Sequence, residues 1–158
     1  MSFFKTVDDY VETYQNMSWD ELRKSAVLVT KAIVRNLQYY FGVYEMGARK
    51  FICPIFAGFC LAGVDRHDTV IADREFQLFQ LVMAEVFNKH YTRSDFDKYV
   101  TEASSTKYLD KVKRYAVRNS DIRDNVAELG VIVGFYDYTL TKDELAVVNY
   151  IKDMPNSW

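Results

Sequence analysis

Apolar residues three and four apart run through nearly the whole chain, and this spacing constrains its fold more than any other feature. Leu22, Ala26, Val29, Ile33, Leu37, Tyr40 and Tyr44 form one long stripe, the signature of an amphipathic helix rather than a strand. Ser18 and Glu21 frame a capping box at its start: the hydroxyl accepts the amide three residues on, and the glutamate reaches back. The spacing predicts a helix from there to near Gly47. A shorter helix precedes it, with Val7, Tyr10, Val11 and Tyr14 on one face. The chain has only 6 Gly and 2 Pro among its 158 residues, far below the roughly 12% combined share of an average protein. A sandwich or barrel needs a turn every ten residues or so, and this composition does not supply them.

The stretch from Ala48 to about Val64 is apolar almost all round, which marks a helix surrounded by others. Pro54 removes one amide donor and is expected to kink it or leave its start irregular. The uncharged part, Phe51 to Val64, is fourteen residues long, short of the about twenty that a spanning helix needs. Further helices follow on Phe76, Phe79, Met83 and Val86 or Phe87, on Phe96, Tyr99 and Val100, and on Tyr108, Val112 and Tyr115. Two more carry Ile122, Val126, Leu129, Val133 and Tyr136, then Leu145, Val148 and Ile151. Thr92 with Asp95 and Thr141 with Glu144 repeat the capping pattern. The expected fold is all-α: a compact bundle of seven to eight helices in a single domain over residues 1–158, with no linker or low-complexity segment.

The charges nearly cancel, with 20 Lys and Arg against 22 Asp and Glu for a net charge of −2. This excludes a whole-protein basic footprint for nucleic acid. Lys107, Lys111, Arg114 and Arg118 do form a basic stripe, but Asp110, Asp121 and Asp124 interrupt it. The stripe reads as a solvated helix face, so nucleic acid is disfavoured and a peripheral contact with an anionic membrane stays open. Cys53 and Cys60 lie seven apart on one helix, roughly 10 Å along its axis and too far for a disulfide. They read as small buried hydrophobes. The N-terminus lacks a signal-peptide pattern, and a cytoplasmic protein is expected.

One internal echo stands out. Asp68, Ile71, Glu75 and Phe76 share their spacing with Asp137, Leu140, Glu144 and Leu145. In each copy an apolar helix enters a loop and an amphipathic helix leaves it, giving two related helix–loop–helix units over about 48–90 and 121–152, preceded by N-terminal helices over 3–47. On these residues the chain resembles the TerB-like family, the tellurite-resistance TerB proteins and their relatives. The family motif fits at Asp137, Leu140, Thr141 and Glu144, and at Asp68, Ile71 and Glu75. Thr69 and Tyr138 stand where the family has glycine, and Ala72 where it has a capping hydroxyl. The resemblance covers roughly Ala48 to Lys152. It implies a compact all-α fold and acidic residues gathered around a cation site, in a family tied to stress-response operons rather than to an established catalytic step.

Two readings of Asp68, Glu75, Asp137 and Glu144 follow from their chemistry. Carboxylates are hard oxygen ligands, so the four could hold a divalent cation, with calcium, magnesium or manganese expected. Alternatively, each Glu completes or supports a helix cap, and each Asp closes an Asx-turn. Neither loop has the alternating ligands and central Gly of a calcium-binding EF-hand. The aromatics form a second group, 25 residues in all from 12 Tyr, 11 Phe and 2 Trp. Tyr39, Tyr91 and Tyr138 are the partner-binding candidates, because exposed tyrosine combines apolar area with a polar tip.

The reading that gathers these features is a non-catalytic binding or adaptor protein. The expected partner is another protein, with a homodimer as one option. The competing readings are a metal-dependent enzyme that uses a loop carboxylate as general base, and a purely structural interaction module. No nucleophile–base pair and no phosphate loop accompanies the acids, which disfavours the enzyme.

Overall fold

The computed structural model describes residues 5–62, 73–104, 107–136 and 140–155. Among these residues the chain forms eight α-helices and no strand. They are α1 (Val7–Tyr14), α2 (Trp19–Phe41), α3 (Glu45–Ala62), α4 (Asp73–Phe87), α5 (Arg93–Ser104), α6 (Lys107–Ala116), α7 (Ser120–Tyr136) and α8 (Lys142–Lys152). The all-α bundle that the spacing predicts is the fold observed. No helix of the described residues is long and apolar enough to cross a membrane.

The predicted stripes face inward. Val7, Tyr10 and Tyr14 of α1 are buried, as are Leu22, Ala26, Val29, Ile33 and Leu37 of α2. Every residue from Phe51 to Cys60 of α3 is buried. This helix touches α2, α4, α5, α6, α7 and α8, which is why no polar face interrupts its sequence. Pro54 lies inside α3, and the helix continues on both sides of it. Cys53 and Cys60 are free and buried. α7 is the second central element, packed on α2 along most of its length and flanked by α1, α3, α6 and α8.

One boundary differs from expectation. α2 stops at Phe41, and Gly42 adopts the left-handed conformation (φ 64°) that ends a helix. Its amide donates to the Gln38 carbonyl at 3.0 Å, and the Val43 amide donates to Leu37 at 3.2 Å. The stripe spacing runs on to Tyr40 and Tyr44, but both rings are exposed. Glycine's backbone freedom decides the end of this helix, and hydrophobic periodicity does not report it.

Candidate functional site

The starts of α4 and α8 converge on the end of α7. At α8 the predicted capping box is present: the Thr141 amide donates to Glu144 Oε1 at 2.8 Å, and the Glu144 amide donates to Thr141 Oγ1 at 3.2 Å. The other carboxylate oxygen lies over Gly134 of α7. A Cβ at that position would stand 3.1 Å from Glu144 Oε2 and 2.3 Å from Leu140 Cδ1. Gly134 is therefore the notch that lets the α8 carboxylate and Leu140 seat against α7.

At α4 the equivalent glutamate, Glu75, is also buried. Its neighbour Arg74 reaches the same end of α7, donating to the Tyr136 carbonyl at 3.3 Å. The Arg74 guanidinium lies 3.8 Å from the centre of the Trp19 ring, a cation–π stack at the first residue of α2. Arg23 donates from Nε to the Tyr136 hydroxyl at 3.0 Å and pairs with Asp20 one turn back. Tyr136 thus receives one arginine on its carbonyl and another on its hydroxyl. Cations at the C-terminal end of α7 and carboxylates at the starts of α4 and α8 both suit the helix dipoles.

Glu75 and Glu144, at 2% and 4% exposure, are the only buried charged side chains among the described residues. A carboxylate taken out of water needs hydrogen bonds or a compensating positive charge. The structure thus buries both predicted glutamates: Glu144 is seated against the end of α7, and Glu75 follows Arg74, which bonds to that same end. Asp68 and Asp137, the other half of the predicted set, lie outside the described residues. Among the described residues no three His, Cys, Asp or Glu side chains gather closely enough to hold a metal.

The chain matches no family model, and neither a curated protein nor a solved structure matches it. The resemblance to TerB-like proteins accordingly rests on the two copies of the motif.

The tyrosine candidates separate. Tyr39 is 81% exposed near the end of α2, its ring edge-on to Tyr40 with centroids 4.9 Å apart. Tyr44, on the turn into α3, and Met46, in its first turn, are exposed as well. Tyr91 corrects the sequence reading: it is buried and cannot offer its ring to a partner. It packs against Phe79 and Tyr99, with centroids 5.4 and 5.9 Å away, and its carbonyl accepts from Gln80 at 3.0 Å. A single tyrosine between two helices belongs to no periodic stripe, so its sequence position carries no sign of burial. Tyr138 lies outside the described residues.

Nothing in the spacing of the sequence points to Arg23 or Trp19 as part of this site. Arg74 sits beside Glu75 in the first motif copy, which was the one available hint. The Trp19 and Tyr136 contacts arise only from the packing of α2, α4 and α7.

Proposed function

We propose that this protein is a non-catalytic binding module of TerB-like type. In this reading its acidic helix starts respond to a divalent cation, and an exposed aromatic corner meets a protein partner. The observation that carries the reading is the burial of Glu75 and Glu144, the first-turn acids of the two motif copies, at two helix starts that both reach the end of α7 through Arg74 and Glu144. Each is preceded in sequence by a motif aspartate, Asp68 or Asp137, so an ion there would have hard oxygen donors from both units. Ion binding would fix the two loops to the bundle, and the fold would be stabilised by mass action. The partner surface in this reading is Tyr39, Tyr44 and Met46, where α2 turns into α3.

The test is a thermal melt of metal-stripped protein titrated with calcium, magnesium, manganese and zinc. The parent is compared with Asp68→Asn/Asp137→Asn and with Glu75→Gln/Glu144→Gln. A saturable rise in Tm that both variants lose supports the cation site. No rise with any ion sinks it and leaves the four acids as caps and turns. An enzyme reading would gain ground only if a second reactive group were shown to act beside the carboxylates.

A further inference from the structure

Helices α2 and α4 begin together at the stack of Arg74 on Trp19 and run side by side in the same direction. Further along they leave a groove of about 500 Å³ between them, lined on its apolar part by Val27, Leu28 and Leu81. Leu28 is 68% exposed, and Leu28 and Leu81 are the only exposed leucines among the described residues. Both lie in this one groove, and no exposed valine or isoleucine occurs elsewhere in the described residues. Isolated exposed leucines need no explanation, but two placed together in a concave site mark a contact surface.

The charges at the rim indicate what covers it. Asp20 and Arg23 pair with each other. Lys24 and Glu85, both exposed, make no ion pair among the described residues. Lys24 lies five residues beyond Trp19 on α2, and Glu85 lies eleven beyond Arg74 on α4. At about 1.5 Å per residue the two charges are roughly 9 Å apart along the groove. The groove is therefore basic toward its start and acidic toward its far end, with leucines between. Such a surface complements itself when a second copy is laid on it with its groove antiparallel.

We propose that the α2–α4 groove is an isologous dimer interface between two copies of this chain. Leu28 of each copy enters the other's groove near a two-fold axis, and Lys24 of each copy faces Glu85 of the other. A two-fold contact requires one patch to carry both halves of each interaction, and this one does. The proposal is independent of the cation reading, because none of Lys24, Leu28 and Glu85 is one of the four acids of that reading.

Sedimentation velocity across micromolar to hundreds of micromolar protein reads the dimer, and circular dichroism checks that each variant keeps its helices. The parent is expected to dimerise with rising concentration, and Leu28→Asp to remain monomeric. Lys24→Glu and Glu85→Lys each create two like-charge contacts per dimer and should weaken it at least about tenfold. The double variant Lys24→Glu/Glu85→Lys recreates the pairs with signs exchanged and should return to within about threefold of the parent. A parent that stays monomeric throughout overturns the proposal and leaves the groove to a different protein. A dimer indifferent to Leu28→Asp, or a double variant no better than either single one, also overturns it.

Discussion

Among the described residues four helices begin with the same reciprocal cap, and one of the four is built differently in what surrounds it. Thr6 with Asp9, Ser18 with Glu21, and Thr92 with Asp95 face solvent. Thr141 with Glu144 makes the same bonds at almost the same distances, yet the carboxylate is buried against α7. In the exposed caps the backbone bonds at Thr6 and Thr92 hold the Asp9 and Asp95 carboxyls below their ordinary values, and water satisfies the remaining oxygen lone pairs. In the buried cap those lone pairs must be met by protein or by an ion. Identical local chemistry is a modest stabiliser in one place and a structural commitment in the other.

The largest test of that difference is Glu144→Ala set against Glu21→Ala, the same position in the exposed cap. Loss of the exposed cap should cost about 1 kcal/mol. Loss of the buried one removes the cap acceptor and opens space against Gly134, and should cost about 2–4 kcal/mol in urea unfolding. Equal costs would mean that burial adds nothing to this cap. Gly134→Ala comes next. Its methyl group would press on Leu140 and the Glu144 carboxylate, so a loss of about 1–3 kcal/mol is expected, with the first turn of α8 losing amide-exchange protection. Unchanged protection there would show that the notch is not needed.

Arg74→Ala removes the stack on Trp19 and the bond to the Tyr136 carbonyl. A loss of about 1–2 kcal/mol is expected, and Arg74→Lys should recover only part of it, because a lysine lacks the flat guanidinium. Full rescue by lysine would argue that charge alone matters at this helix end.

Glu128 extends the comparison to a carboxylate with no cap. Burial raises its carboxyl above the ordinary value, against the opposing hydrogen bond from Tyr14. A raised folded value means the folded state holds the proton more tightly, so the associated stability is present at acid pH and lost as pH rises through that value. The Tm of Glu128→Gln relative to the parent should therefore climb between pH 4 and pH 7; a flat difference would refute the shift. The smallest expected effect is at Cys53, whose thiol burial pushes up to about 11. It should resist alkylation of the folded protein at pH 8 while reacting promptly in urea.

How much of this was written in the sequence follows from the range of each interaction. Caps and stripes are local, so Thr141 with Glu144 and the run from Ile122 to Tyr136 were legible residue by residue. The end of α2 was not, because Tyr40 and Tyr44 prolong the spacing while Gly42 breaks the backbone. Half of the candidate site was legible as well, since Glu75 and Glu144 could be named from the echo. Their burial could not be, because it depends on packing between helices far apart in sequence, as where Glu144 seats against Gly134 of α7. Tyr91 shows the same limit in reverse, a loop-borne ring whose buried place is set by Phe79 and Tyr99.

The encirclement of α3 has a consequence for how the chain is made. This helix is complete by Ala62, but the helices that cover it include α5 to α8, the last of which ends at Lys152. At about 5–20 residues per second, synthesis of the intervening stretch takes roughly five to twenty seconds. Throughout that interval the nascent chain carries a helix of Phe, Ile and Cys with much of its shelter still unmade. The most apolar of the described helices is thus a part of the nascent chain that has need of a chaperone.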